Sequence, residues 1–352
     1  MKQSKTYAGI DYFRLIAALF VIAIHIGPFE SYNSTVDYLF TYCLGRIAVP
    51  FFLMVTGYFV IAPYIAGGFE KKHSLKKYLL KNTGLYLGAT IFYLPIALYA
   101  KNLPKSIPEA FKNFFFDGTF YHLWYFPAAV MGCMLLFFFL KRSFGAAAFF
   151  AVTAYIIGIF GDSYYGLIKD IPFLHFLYEG IFSFSSYTRN GIFFAPIFLL
   201  LGVFAADSNF SCPKCFLQLG CFLFLLCMFL EGFLTYSLDL QRHNSMYLFL
   251  IPTMYFLFQL LLRIPGKAPA RVRNSSMWIY IIHPAVIVLL RGIAKKTNLT
   301  ELLIDNTLIQ YLSVCLLSVS IAFVIQTFCN IFSGYKKHNR RTNYVSKRKS
   351  LD

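Results

Sequence analysis

The chain has 352 residues, 58% of them hydrophobic and only 13% charged, with 42 Phe and 25 Tyr. A soluble domain carries roughly 45–50% apolar and about 25% charged residues, so this excess is too large for a soluble core and must meet lipid. The net charge of +17 sits in short loops and a tail beside apolar runs. That suits membrane topology and anionic headgroups and excludes a soluble nucleic-acid-binding face.

A transmembrane helix needs about 20 mostly apolar residues. Ten segments qualify: 9–29, 43–64, 80–100, 122–140, 143–161, 190–207, 215–235, 245–263, 275–292 and 307–332. The runs are too long for barrel strands and lack their alternation. The expected fold is therefore an all-α integral membrane protein of about ten transmembrane helices. Residues 1–332 form one transmembrane domain, and 333–352 form a basic cytoplasmic tail, disordered or a linker. The first run is a retained helix and not a signal peptide, because Arg14 interrupts it and no small-residue cleavage site follows. Twenty-one Lys and Arg fall on the side of the N-terminus and nine on the other, with Arg14 and Arg46 inside spans. The positive-inside rule puts both termini in the cytoplasm of a multi-pass cell-membrane protein.

Ionisable groups inside spans are costly and mark candidate sites. The first span holds Arg14 and His25, 11 residues apart. At 100° per residue they fall within about 20° of one face, separated by roughly 16 Å of rise. The pair reads either as a polar cavity along one helix or as a snorkelling Arg and a bonded core His. The second span carries Arg46 at its outer edge, which suits a cavity or the membrane interface equally, with Pro50 and Gly57 able to loosen the helix. The fourth opens on His122-Leu123-Trp124-Tyr125, whose Trp and Tyr fit an interface belt. The outer loop 162–189 has room for a short helix or re-entrant segment. Arg189 opens the sixth span, and Glu231 lies inside the seventh, where it calls for a His or Arg partner. His243 opens the eighth beside Arg242, and His283-Pro284 lies in the ninth. Several of these cluster at the outer ends, as a pocket open to the outside would require. Cys212-Pro-Lys-Cys215 is a lone CxxC with no second pair or clustered His, so no metal site is expected.

The segments GIDYFRLIAALFVIAIH, GRIAVPFFLMVTGYF, YHLWYFPA, GDSYYGLI, TRNGIFFAPIFLLLGV, HNSMYLFL and WIYIIHP resemble, in that order, the acyltransferase-3 family of membrane proteins. Within it they are most similar to the membrane half of VanT-type serine racemases. One departure is Thr56-Gly57-Tyr58, where the usual phrase is closer to FFVLSGF. The resemblance implies a ten-helix fold and transfer of an acyl group from acyl-CoA to a cell-envelope acceptor. It makes His25 the catalytic base and Arg14 a holder of donor phosphates. Arg46, His122, Arg189, Glu231, His243 and His283 would line the substrate side. The VanT-like branch implies an alternative: uptake or binding of L-serine in vancomycin resistance, with Glu231 for the ammonium and an Arg for the carboxylate. There a PLP-dependent racemase domain is the expected partner after the C-terminus, and no room remains for it after residue 332.

Overall fold

The computed structural model describes residues 6–68, 72–207 and 212–349. Lys2, Lys5 and Lys71, counted above toward topology, lie outside the described residues, as do residues 350–352 and the side chains of 72–73 and 330–349. Among the described residues there are no strands, only one isolated bridge between Tyr7 and Pro265. The helices are α1 (Ala8–Ile26), α2 (Ser34–Ala66), α3 (Lys72–Tyr99), α4 (Ile107–Lys112), α5 (Tyr125–Leu140) and α6 (Phe144–Phe160). They continue as α7 (Pro172–Phe184), α8 (Ala195–Ala206), α9 (Lys214–Ser237), α10 (Leu250–Leu262), α11 (Ala270–Lys296) and α12 (Thr307–Lys349).

Five are long and apolar enough to cross a membrane: α1, α2, α9, α11 and the Thr307–Cys329 part of α12. The apolar helices α5, α6, α8 and α10 are shorter. On α9, Leu219, Phe222, Leu223, Leu226 and Leu230 are exposed at the spacing of one helical face. Water would penalise such a stripe and lipid would not. The chain is accordingly a multi-pass membrane protein. The backbone of α12 runs on without a break from its apolar part to Lys349.

Local chemistry sets the helix ends. Gly27 takes a left-handed φ of 69° and its N–H bonds Ala23 O, which stops α1 one residue beyond His25's turn. The α2 run is not uniform: it contains wide turns at Leu39–Cys43 and Gly57–Ile61 and a tight turn at Leu44–Ile47. Pro50 has no N–H for the Arg46 carbonyl, so regular winding resumes only from Ala48. The loop 162–189, expected to hold a short helix or a re-entrant segment, holds the short helix α7 and a tight turn at Tyr165–Leu167.

The middle of the bundle is α8, which packs on α2, α5, α6 and α10, while α1 packs on α2, α10, α11 and α12. The α2–α8 crossing is backbone on backbone. A Cβ on Gly57 would sit 2.0 Å from Leu199 O, and one on Gly202 would sit 2.2 Å from Met54 O. Small residues allow that approach in membrane helices. Gly57→Ala or Gly202→Ala should therefore cost about 1–3 kcal/mol through forced separation. Gly84→Ala, where a Cβ meets nothing within 4 Å, should be neutral or mildly stabilising. Thermal unfolding in detergent checks this; equal midpoints for all three variants would mean the two helices do not meet at these glycines.

Candidate functional site

Arg14 lines a cavity of about 440 Å³ formed by α1, α2, α3, α5, α11 and α12. Lys81 and Arg273 line the same space, and none of its lining residues is acidic. Asp11 stands outside it, 3.7 Å from the Arg14 guanidinium, and accepts the Ala268 N–H at 3.3 Å. Thr56, Tyr78 and Asn82 add hydroxyl and amide groups, and Thr56 Oγ1 donates to Tyr78 OH at 3.1 Å. Tyr125 and Tyr280 complete the lining, their rings edge to face at 5.7 Å. Val21, seven residues on from Arg14, also lines it, so the cavity follows the Arg14 face of α1. It stops one turn short of His25, which is not among its lining residues.

Tyr280 joins this cavity to a group of imidazoles. Its hydroxyl donates to the His122 carbonyl, and its ring lies 5.5 Å from His122 and 6.2 Å from His283. His25 stacks on His283 with centroids 5.3 Å apart, and His283 meets His122 edge-on at 5.3 Å. Tyr121 closes the circuit, 4.8 Å from His25 and 5.5 Å from His122. Three parts of the chain deliver the three histidines. His25 ends α1. His122 sits in a turn that Gly118 permits at φ 88°, where a Cβ would strike Trp124 N at 2.5 Å. His283 precedes Pro284 inside α11, and Tyr93 repairs the ladder there: its hydroxyl donates to Ile281 O at 2.6 Å and accepts from Ala285 N at 3.2 Å. His122 and His283 are 1% and 0% exposed, whereas His25 keeps some accessible surface. His283 Nδ1 lies 3.1 Å from Ile279 O. Both ring nitrogens of His122, and Nε2 of His283, are buried without a partner. Among the described residues no group of His, Cys, Asp or Glu is arranged to hold a metal ion.

The opposite end of the bundle holds a second cavity of about 350 Å³, lined by Glu30, Asp37, Asp239, Arg242, His243 and three tyrosines among others. His243 Nδ1 meets Ser245 Oγ at 2.8 Å and faces Asp162 Oδ2 at 3.4 Å. Burial pushes the His243 imidazole down to about 4, with Asp162 pulling the other way. Burial would raise the Asp162 carboxyl, yet bonds from His243 and the Ser245 amide bring it below its ordinary value. Asp162 Oδ1 also accepts Ser245 N at 2.6 Å and Met246 N at 2.9 Å. It therefore fixes the loop that carries His243. Arg189 lies over Trp124 and Tyr187, 5.1 and 4.5 Å from their ring centres, and its Nε has no partner.

Several expectations change. Arg46 is not at an interface: it is buried, its Nε donates to Asn244 O at 2.7 Å, and its guanidinium also binds the Asn244 side chain. Trp124 and Tyr125 are not belt residues. Trp124 is buried beneath Arg189, and Tyr125 faces the cavity. Glu231 has neither His nor Arg as partner. It accepts Tyr164 OH at 2.8 Å, Leu248 N at 2.6 Å and Phe249 N at 2.9 Å. The last two are the free donors at the start of α10, where the helix dipole favours a carboxylate. Lys81, Arg273, Tyr280 and Asp162 were not singled out from the sequence. The first two read as topology charges, and only their convergence in space reveals them.

A model of the family described as an acyltransferase domain, acyltransferase-3, matches residues 7–327. An amino-acid racemase of Enterococcus faecalis is 38% identical over 97% of this chain and 48% of its own length. A serine/alanine racemase of Enterococcus gallinarum is 35% identical over 88% of this chain and 45% of its own length. The chain thus spans about half the length of these curated relatives. No solved structure matches.

Glu231→Leu strips the acceptor from two partly buried amides and should destabilise the fold by about 1 kcal/mol or more in total, the low end of the cost of orphaned buried donors. Glu231→Gln keeps one carbonyl oxygen and should lose less. Detergent unfolding curves measure both. Wild-type stability in Glu231→Leu would mean that the carboxylate does not hold the start of α10.

Proposed function

Because the chain belongs to the acyltransferase-3 family, we propose that it is a membrane-embedded O-acyltransferase that moves an acyl group from acyl-CoA to a hydroxyl of a cell-envelope acceptor. The observation that carries this reading is the cavity holding Arg14, Lys81 and Arg273, whose lining residue Tyr280 packs its ring 5.5 Å from that of His122. Three cations with no acidic residue beside them in the lining suit a ligand rich in phosphate. Arg matches phosphate oxygens with paired N–H groups, and Lys adds a compact charge. In this reading ten spans cross the bilayer: α1, α2, α3, α5, α6 and α8 to α12. The Lys81 mouth faces the cytoplasm with both termini, where acyl-CoA is available, and the Glu30 mouth faces the envelope. His25 accepts the proton of the acceptor hydroxyl as its oxygen attacks the thioester carbonyl. The tetrahedral intermediate collapses, the C–S bond breaks, and the CoA thiolate leaves and takes up a proton.

A second reading rests on the cavity at the Glu30 mouth and on relatives named as racemases. Its carboxylates suit an ammonium group and Arg242 suits a carboxylate, as in a zwitterionic amino acid. The chain would then bind or take up L-serine for a PLP-dependent racemase domain joined to, or working beside, its C-terminus. Glu231, committed to α10, would not take part.

Calorimetric titration of purified wild type, His25→Ala and Arg14→Ala with acetyl-CoA and with L-serine separates the readings. Acyl transfer predicts acetyl-CoA binding by wild type and by His25→Ala, with transfer by the latter reduced at least about 100-fold. Arg14→Ala should weaken acetyl-CoA binding, and Arg14→Lys should recover only part of it. Heat with L-serine and none with acetyl-CoA would defeat the acyltransferase reading in favour of the second.

A further inference from the structure

The imidazole group contains more chemistry than one base requires. His283 Nδ1 lies 3.1 Å from Ile279 O, and a carbonyl oxygen can only accept. The proton of a neutral His283 is therefore on Nδ1, leaving Nε2 as a bare acceptor. His122 has no such commitment. Its ring is 1% exposed and neither nitrogen has a partner, although a neutral imidazole always carries one N–H. Buried donors are nearly always paired, so a buried unpaired N–H calls for a specific explanation. The one protein acceptor facing the ring is the Ile281 carbonyl; it lies outside hydrogen-bond geometry with either ring nitrogen and already accepts Tyr93 OH at 2.6 Å. What holds His122 in place is its backbone, through Tyr280 OH to the carbonyl oxygen. The ring itself is enclosed by Tyr93, Tyr280 and His283 at 5.0, 5.5 and 5.3 Å.

Its position gives that N–H a use. Tyr280 lines the cation-bearing cavity and contacts His122. His25 lies across His283 and Tyr121 from it, each of those rings touching both histidines. A thioester whose phosphates sit among Arg14, Lys81 and Arg273 would reach His122 past Tyr280, the lining residue it packs on. We infer that the His122 ring N–H is the hydrogen-bond donor to the acyl carbonyl oxygen, holding the oxyanion while His25 takes the acceptor's proton. This rests on the acyl-transfer reading above. The two imidazoles then do opposite work: one accepts a proton from the nucleophile, and the other donates to the oxygen that gains charge. A neutral donor fixed before the reaction needs no reorganisation as that charge develops. His283, stacked on His25 and edge-on to His122 with its own proton held by Ile279, is a positioning residue between them.

The test uses the full-length protein in detergent or proteoliposomes, with radiolabelled acetyl-CoA as donor and the envelope fraction of the source cells as acceptor. His122→Leu should lower kcat by about 100- to 1,000-fold, the usual effect of losing one oxyanion donor, with KM for acetyl-CoA nearly unchanged. His122→Gln restores an N–H donor and should recover part of kcat. Because the leucine replaces an unpaired polar ring, its Tm should equal or exceed that of wild type. Transfer by His122→Leu at the wild-type rate would overturn the assignment, as would a kcat loss that His122→Gln fails to relieve. A large fall in Tm for both variants would also overturn it, by making His122 a structural residue. If wild type itself neither binds acetyl-CoA nor transfers its acetyl group, the acyl-transfer reading fails and takes the oxyanion role with it. That result is distinct from a working enzyme indifferent to His122.

Discussion

A polar group enclosed in an apolar bundle must find a hydrogen bond, because bilayer and packed side chains offer none of the compensation that water would. The buried ionisable groups described above divide on that demand. Arg46, Asp162 and Glu231 are tied to backbone amides, carbonyls and neighbouring side chains. They hold the 238–249 connection and the start of α10 in place. His122 and His283 have ring nitrogens left over, and Arg14, which Asp11 approaches from outside, shares with Lys81 and Arg273 a cavity whose lining has no carboxylate. The satisfied groups form the scaffold. In the proposed reading, a ligand completes the hydrogen bonding of the unsatisfied imidazoles.

The two cavities lie at opposite ends of the bundle and differ in charge. One has three cations and is lined by Tyr280, which packs on His122 and His283. The other has three carboxylates with Arg242 and a His243 that burial keeps neutral near pH 7. The ends are linked through rigid parts. Asp162 fixes the His243 loop, Asn244 of that loop binds Arg46 on α2, and α2 crosses α8 at Gly57 and Gly202 with backbone touching backbone.

Much of this was legible in the sequence, since cost of burial leaves a trace in composition. The long apolar runs led to the helices, and the family follows from ordered motifs. The intramembrane ionisable residues led to His25, His122 and His283, which do converge. What the sequence hid depends on distance in space. Lys81 and Arg273 look like ordinary loop charges, because their shared cavity forms only when α3 meets α11. Glu231 looked like half of an ion pair, because the start of a helix is an equally good partner and leaves no charged signature. Trp124 and Tyr125 looked like interface residues, because composition does not distinguish a belt from a buried aromatic wall. Asp162 passed as a loop residue, because its five bonds to the chain and side chains around it come from folding of the His243 segment.

The central claim is that the cation-lined cavity receives the phosphates of an acyl donor and directs its thioester toward the histidines. A structure of the protein in lipid nanodiscs with a non-hydrolysable acetyl-CoA analogue tests it most directly. The account predicts the phosphates among Arg14, Lys81 and Arg273, with the acyl carbonyl beyond Tyr280 and beside His122. An analogue bound at the Glu30 mouth, or a cavity left empty at saturating analogue, would contradict it.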